Sequence, residues 1–225
     1  VIARFEAERQ ALALMNHRCI ANVYDAGATP AGRPFIAMEY VKGVPINVFC
    51  DRHKLSLRRR LELFNLVCDG VQHAHQKAVI HRDLKPGNIL VSEEGGSESG
   101  STRTAGPQVK ILDFGLARIT DPDVADVTSM SAMGRIQGTL PYMSPEQARG
   151  KPIDRRTDIW AFGCCLYEAL AGKGAFSSDT LSDTIASVLN REPDWSALPS
   201  RAPASVRRLL RRALVKDRAR RLQHI

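Results

Sequence analysis

The alternation of apolar and polar positions predicts a short region of strands followed by a longer region of helices. The clearest signal runs from Leu57 to Ala78, where apolar residues recur at helical spacing and Ser56 precedes them as an N-cap. The predicted helices are 4–16, 57–78, 158–171, 179–190 and 204–215, and the predicted strands are 21–26, 35–40, 89–91 and 109–112. Small strand-bearing and larger helical regions in this order predict an α+β fold.

One polar segment interrupts this pattern. Residues 92–108 are rich in Gly, Ser and Thr and nearly devoid of apolar side chains, which is typical of a flexible surface insertion. No apolar run approaches the ~18 residues that a membrane-spanning helix needs. We therefore expect no membrane segment in this chain.

The net charge of +8 is concentrated near the end of the chain. Residues 201–225 hold nine basic side chains and one acidic side chain, whereas the remaining residues hold 23 of each sign. Such a block could bind nucleic acid or anionic lipid, or it could form the solvated face of an amphipathic helix. Its arginines alternate with apolar residues at helical spacing, which favours the solvated face. The block lacks the interleaved aromatic residues of stacking platforms, so we expect no nucleic-acid partner.

The five cysteines include no C-x-x-C pair. Cys164 and Cys165 are adjacent within an apolar run, which is typical of core residues. An odd number of cysteines without metal-ligand spacing predicts reduced thiols and a cytoplasmic location. A membrane anchor elsewhere in a longer parent protein is compatible with this prediction.

The densest cluster of reactive side chains is the run His81-Arg82-Asp83-Leu84-Lys85-Pro86-Gly87-Asn88, followed downstream by Asp113-Phe114-Gly115. Together these runs offer two carboxylates, an ammonium and a carboxamide at fixed offsets. Phosphoryl transfer from ATP needs a carboxylate that orients the attacking hydroxyl, a cation on the transferring group and two oxygen ligands for Mg²⁺. Either motif alone is compatible with a polar turn, but both in this order, each flanked by a strand signal, favour catalysis.

These motifs resemble those of the eukaryotic-like protein kinase superfamily, and more closely those of bacterial serine/threonine protein kinases. The resemblance implies a two-lobed α+β kinase fold. Residues 1–41 match a partial small lobe with a mobile helix, two strands and the start of the hinge, and residues 42–225 match the largely helical large lobe. Within the large lobe, 92–108 is the surface insertion and 113–146 is the activation segment.

The resemblance also assigns roles to the reactive residues. Asp83 matches the catalytic base, Lys85 the electrostatic stabiliser of the γ-phosphoryl, and Asn88 a further residue of the catalytic loop. Asn88 and Asp113 match the Mg²⁺ ligands. The implied cofactors are ATP and Mg²⁺, and the implied substrates are proteins with Ser or Thr acceptors.

A second set of residues matches the nucleotide-binding positions of the family. Met38 corresponds to the gatekeeper, and the backbone of Glu39 and Val41 to the groups that hydrogen-bond adenine. The implied cofactor-binding residues are Glu8, Met38, Glu39, Val41 and Leu90. On sequence alone, a solvated helix residue is the better interpretation of Glu8.

The resemblance further predicts contacts that support the large lobe. Thr139 is expected to hydrogen-bond the catalytic Asp and Lys, and Glu146 is expected to pair with Arg221, with Arg220 as a competing partner. Asp158 is expected to accept hydrogen bonds from the catalytic-loop backbone, a role compatible with that of a helix cap.

Two further features of the family pattern involve the centre of the chain. Arg82 next to the catalytic carboxylate favours an activation-segment phosphate as its partner, and the candidate sites are Thr128 first, then Ser129 and Ser131. An unmodified loop is the alternative. The side chains that match the stack aligning the two lobes are Leu12, Val23, His81 and Phe114.

Two parts of the family pattern are not found in the sequence: the Gly-x-Gly-x-x-Gly loop and the strand lysine that would pair with Glu8. Because the other motifs are intact, we expect the chain to be a piece of a longer kinase that binds ATP weakly by itself. The alternative is a catalytically silent, kinase-like scaffold that binds protein partners.

Overall fold

A computed structural model of the chain describes residues 15–30, 33–93, 106–114 and 138–225. The predicted helix over 4–16 lies outside this part except for its last two residues, and so does most of the predicted insertion over 92–108. The described residues pack as two compact units. The first contains 15–81 and 86–114, with the gaps given above, and the second contains 82–85 and 138–225. The lobe boundary near residue 41 stays a prediction.

Among its described residues, the first unit has two small antiparallel sheets and two helices. Its elements are β1 (Val23–Ala28), β2 (Pro34–Met38), β3 (Val44–Pro45), α1 (Ile46–Arg52), α2 (Leu57–Gln76), a 3₁₀ turn (Pro86–Asn88), β4 (Ile89–Ser92) and β5 (Gln108–Ile111). Strand β1 pairs with β2, and the other sheet has the order β3-β4-β5. The four strands predicted from the sequence are therefore confirmed, with ends shifted by at most two residues.

Helix α2 shows why the periodic signal was reliable. The side chain of Ser56 accepts a hydrogen bond from the backbone N–H of Arg59, as expected of an N-cap. The apolar stripe is buried, with Phe64, Val67 and Val71 at most 1% exposed. The elements β3 and α1 were missed because both are short, although Ile46, Phe49 and Cys50 form an apolar face on α1.

The second unit is helical among its described residues. Its elements are a 3₁₀ turn (Leu140–Tyr142), α3 (Pro145–Ala148), α4 (Arg156–Ala171), α5 (Leu181–Asn190), a 3₁₀ turn (Trp195–Ala197) and α6 (Ala204–Ala213). Helix α4 is the core helix, in which Trp160 and Tyr167 are fully buried, and it ends at Gly172 with a φ of 73°. The predicted helices over 158–171, 179–190 and 204–215 are confirmed, and so is the α+β class.

The lengths and polarity of the helices concern the prediction about membrane-spanning segments. Within the described ranges, every helix is too short or too polar to cross a bilayer.

The approach of Gly43 to β4 is close enough to allow no side chain. A Cβ atom at this position would lie 2.9 Å from the carbonyl oxygen of Val91 and 3.3 Å from the Cβ of Leu90. Because the nearest neighbour is backbone, it cannot rotate away. We expect Gly43→Ala to lower the free energy of unfolding in urea by about 1–3 kcal/mol.

Gly87→Ala is the matched control for this substitution, since a Cβ atom added at Gly87 would have no heavy atom within 4 Å. We expect this control to change the free energy of unfolding by less than about 0.5 kcal/mol. Equal stability of the two variants would contradict the close packing at Gly43.

Candidate active site

The catalytic-loop residues of the second unit form a hydrogen-bonded cluster. The Lys85 ammonium donates to Asp83 Oδ2 at 2.8 Å and to Thr139 Oγ1 at 2.7 Å. The side chains of Lys85 and Asp83 are 24% and 30% exposed, so both remain accessible to a bound molecule. The predicted contact of Thr139 with the lysine is confirmed. The cluster places a carboxylate, a cation and a hydroxyl together in one partly exposed position.

The backbone that carries this cluster is held in an unusual conformation at Arg82. Arg82 has a φ of 71°, a left-handed value that costs a non-glycine residue energy. Asp158, fully buried in the first turn of α4, accepts a hydrogen bond from the Arg82 N–H at 2.8 Å. The Gln147 amide donates to the Arg82 carbonyl at 2.8 Å. The prediction for Asp158 is confirmed, while Gln147 was missed.

The two predicted metal ligands lie at one end of a strand pair in the first unit. Strands β4 and β5 pair antiparallel with Ile89 opposite Ile111. The next hydrogen bond in the same direction runs from the Leu112 N–H to the Asn88 carbonyl at 2.8 Å. Asp113 follows immediately, with a φ of 60°. The pairing register therefore brings Asn88 and Asp113 to the same edge of this sheet.

His81 fixes the residues on either side of Asp113. It is fully buried, and its Nε2–H donates to the Leu112 carbonyl at 2.8 Å. Its ring centroid lies 4.6 Å from that of Phe114. Val23 and Phe114 line one small cavity of the first unit. Three members of the predicted side-chain stack are thus placed in this unit, whereas Leu12 lies outside the described residues.

The segment predicted to hold adenine leaves backbone groups of Glu39 and Val41 available. The Glu39 N–H donates to the Asn22 carbonyl at 2.8 Å, and the Gly43 N–H donates to the Val41 carbonyl at 3.0 Å. Among the described residues, the Glu39 carbonyl and the Val41 N–H make no hydrogen bond. An acceptor on Glu39 and a donor on Val41 are therefore available on this segment.

The other predicted nucleotide-binding residues differ in how they are placed. Met38, at the end of β2, lines the same small cavity as Asp113. Leu90 is a half-buried residue of β4, opposite Pro45 on one side and Lys110 on the other. Glu8 lies outside the described residues.

An ion pair that was missed from the sequence joins β5 to the end of β2. The Lys110 ammonium lies 2.8 Å from Glu39 Oε2, and the two side chains are 16% and 23% exposed. The same Glu39 oxygen accepts the Asn22 N–H at 3.0 Å. The pair fixes the segment that precedes Val41 against the strand that leads to Asp113.

The predicted partner of Glu146 is confirmed as Arg221. Two parallel hydrogen bonds join them, from Nη1 to Oε1 at 2.6 Å and from Nη2 to Oε2 at 2.9 Å. The side chains are 0% exposed for Arg221 and 5% for Glu146, whereas the competing residue Arg220 is exposed. Burial by itself raises the pKa of the Glu146 carboxyl, but the hydrogen bonds and charge of Arg221 outweigh it and hold that pKa below its ordinary value.

This pKa shift predicts how the stability of the pair depends on pH. A carboxyl whose pKa is lowered by folding contributes stability above its ordinary pKa, here 4.5, and loses it as the pH falls through the folded value. We therefore expect the difference in unfolding free energy between wild type and Arg221→Ala to be largest at neutral pH and to shrink in acid. Urea unfolding of both proteins across this pH range measures it, and a difference that grows in acid would contradict the pairing.

Ser144 is the N-cap residue of α3, and this role was not predicted from the sequence. Its side chain accepts the Gln147 N–H while the Gln147 side chain accepts the Ser144 N–H, which forms a capping box at the start of α3. Its hydroxyl also lies 2.8 Å from that of Thr157. The spacing Ser-x-x-Gln was the available signal.

Some predicted residues fall in parts of the chain that the structure does not describe. These are Glu8, Leu12, Thr128, Ser129 and Ser131. Their roles stay predictions.

Comparison with known sequences identifies the family. A family model described as protein kinase domain matches residues 3–224. The chain belongs to the protein kinase domain family. This protein kinase domain is 39% identical over 181 residues to the serine/threonine-protein kinase PknB of Mycobacterium tuberculosis, covering 79% of this chain and 26% of that protein.

Two further relatives are similar over most of the domain. The probable serine/threonine-protein kinase PknB of Bifidobacterium longum is 38% identical over 188 residues, which cover 80% of this chain and 25% of the relative. The serine/threonine-protein kinase Pkn3 of Myxococcus xanthus is 37% identical over 222 residues, which cover 97% of this chain and 39% of the relative. The kinase domain thus spans between a quarter and two fifths of the length of these relatives.

Proposed function

We propose that the protein is a serine/threonine kinase that transfers the γ-phosphoryl group of ATP to hydroxyls of protein substrates with Mg²⁺. The observation that carries this proposal is the Lys85 ammonium, which contacts both the Asp83 carboxylate and the Thr139 hydroxyl. Relatives that are 37–39% identical are named serine/threonine-protein kinases, which supports it. Members of the family generally use ATP and Mg²⁺.

Asp83 and Lys85 have different roles in the proposed phosphoryl transfer. The Asp83 carboxylate orients the acceptor hydroxyl and takes its proton late in the reaction, an effect typically worth ~10²–10⁴ in rate. The Lys85 ammonium opposes the negative charge that develops on the transferring group. Its hydrogen bond to Thr139 fixes it in position and ties the catalytic loop to the end of the activation segment.

The proposed metal ligands suit Mg²⁺ in their chemistry. Asn88 supplies a neutral oxygen and Asp113 an anionic one, and both are hard ligands at one edge of the β4–β5 pair. Within the described ranges, no group of three or more His, Cys, Asp or Glu forms a metal cage. Mg²⁺ in nucleotide sites is commonly held by one or two carboxylates together with phosphate oxygens, so these two residues fit. When bound, the metal neutralises phosphate charge.

The proposed adenine site uses the free backbone groups of the first unit. The Glu39 carbonyl can accept from the exocyclic amine of adenine, and the Val41 N–H can donate to a ring nitrogen. Met38 and Leu90 supply apolar surface for the base. The Lys110 ion pair keeps the Glu39 side chain away from this role, so that only its backbone is available.

The partners and location follow from the same proposal. Protein substrates with Ser or Thr acceptors are the expected partners, and the absence of a nucleic-acid partner stays a prediction. All five cysteines are free thiols, in keeping with the proposed cytoplasmic location.

Phosphotransfer to defined acceptors tests the proposal. Full-length protein is incubated with Mg²⁺, labelled ATP and three peptides that differ only in having Ser, Thr or Tyr. We expect label on Ser and Thr, and a loss of about 10²–10³ in rate for Lys85→Ala. Lys151→Ala, which removes an exposed lysine of the same unit, is the matched control and should retain the wild-type rate.

Other outcomes of this assay are equally informative. Label on Tyr alone would contradict the proposed acceptor class. Folded protein that binds protein partners but transfers no label would favour the scaffold.

A further inference from the structure

The basic block over 201–225 divides into two groups with different environments. Four of its nine cations are bound to acceptors inside the second unit. Arg221 pairs with Glu146, Lys216 donates to the carbonyls of Ser187 and Val188, Arg207 donates to those of Leu198 and Pro199, and Arg218 donates to that of Pro152. This group is structural, and its charge is not available to a partner.

The other five cations are exposed arginines: Arg201, Arg208, Arg211, Arg212 and Arg220. None of them has a carboxylate partner among the described residues. Three of them lie three and four residues apart on α6, where like charges repel each other. An anion bound at this surface would relieve that repulsion.

Two of these arginines, Arg211 and Arg220, line a groove with an apolar floor. The partly exposed Trp195 and Val215 form this floor, and Leu214, which also lines the groove, is buried. The Arg211 guanidinium lies 4.8 Å from the centroid of the Trp195 ring, so the ring and the charge are presented together.

The carboxylates in the groove form no ion pair with these two arginines. Within the described ranges, neither Glu192 nor Asp217 lies within ion-pair distance of Arg211 or Arg220, and Asp217 Oδ1 accepts the Ala219 N–H at 2.9 Å. Arg211 and Arg220 are therefore exposed cations at the groove without an ion-pair partner among the described residues.

We propose that this groove, lined by Trp195, Arg211, Leu214, Val215 and Arg220, docks an acidic segment of a protein partner. Carboxylates of the segment pair with the two guanidinium groups, while one apolar side chain packs on the floor. Arginine suits this task because its planar fork binds carboxylates with two hydrogen bonds.

A peptide fits the groove better than a membrane surface does. The accessible apolar surface of Trp195 and Val215 lies within the groove, where a side chain of a peptide reaches it and a planar bilayer does not. The large apolar side chain that α6 exposes is Leu209, at 40%. A membrane would instead be contacted through Arg208, Leu209 and Arg212.

Peptide binding measured by fluorescence anisotropy tests the proposal. The probe is a labelled peptide of glutamates around one leucine, and the matched peptides replace the glutamates by lysines or the leucine by alanine. We expect the peptide of glutamates and leucine to bind most tightly, with an affinity that falls as salt is added. The alanine peptide should bind more weakly, and the lysine peptide should not bind.

Variants of the protein test whether the peptide binds in the groove. We expect Arg211→Ala with Arg220→Ala to weaken binding at least tenfold, or about 1.4 kcal/mol. Arg52→Ala, an exposed arginine of α1, is the control and should bind as wild type does. Melting curves establish that each variant is folded.

Two results would overturn the proposal. One is wild-type affinity in the double variant. The other is binding to vesicles of anionic phospholipid, without peptide binding, that is lost in Arg208→Ala with Arg212→Ala; this result would assign the surface to a membrane.

Discussion

Arg221→Ala is expected to lower the free energy of unfolding by about 3–5 kcal/mol, because it leaves the buried Glu146 carboxylate without its partner. The substitution also removes the donor to the Val215 and Arg156 carbonyls. Urea or thermal unfolding at neutral pH measures the loss. Arg220→Ala removes the same side chain from the adjacent, exposed position and is the matched control, with an expected change within about 0.5 kcal/mol.

A second variant separates the charge from the packing at this site. Glu146→Gln with Arg221→Met removes both charges together, and buried pairs replaced in this way often lose little stability. We therefore expect the double variant to be more stable than Arg221→Ala. If Arg221→Ala melts with wild-type stability, the pair does not hold the second unit together.

Asp83→Asn is expected to lower the rate of phosphoryl transfer by about 10²–10⁴ while leaving the melting temperature near that of the wild type. Asparagine keeps the shape of the side chain and an oxygen that accepts the Lys85 hydrogen bond, but it cannot take a proton. Asp179→Asn, at an exposed position of the same unit, is the matched control.

Kinetics on the full-length protein distinguish this role from a structural one. We expect the loss in kcat, with the KM for ATP nearly unchanged, since the residues proposed to bind adenine and Mg²⁺ belong to the first unit. Full activity in Asp83→Asn would remove Asp83 from the chemistry. A large fall in melting temperature would make its role structural.

The parts of the fold that were predicted well are those governed by local periodicity. Helix α2 has an N-cap serine and an apolar stripe, and β4 and β5 are short apolar runs on either side of a polar segment. Such signals act within a few residues and can be recognised without tertiary contacts. The elements β3 and α1 were missed because two and seven residues are too few to establish a period.

The contacts at the site were predicted only where a motif indicated both partners. Glu146 with Arg221 was predicted in this way, over a separation of 75 residues. Lys110 with Glu39 was not, since no local pattern relates two residues that are 71 positions apart. The sequence therefore predicted Glu39 as a site residue but neither Lys110 nor the contact between them.

The backbone conformation at the site also could not be predicted from the sequence. The positive φ values of Arg82 and Asp113 depend on tertiary contacts around them, such as the bond from the Arg82 N–H to Asp158. Neither residue type favours the left-handed region as glycine does. The burial of individual arginines in the basic block was likewise not predictable, because composition does not distinguish the buried Arg221 from the exposed Arg220.

A crystal structure of the full-length protein with Mg²⁺ and a non-hydrolysable ATP analogue tests the central claim most directly. We expect Mg²⁺ on oxygens of Asn88 and Asp113, the terminal phosphate beside Lys85, and adenine on the backbone of Glu39 and Val41. Nucleotide and metal bound away from Asn88, Asp113 and Lys85 would contradict it.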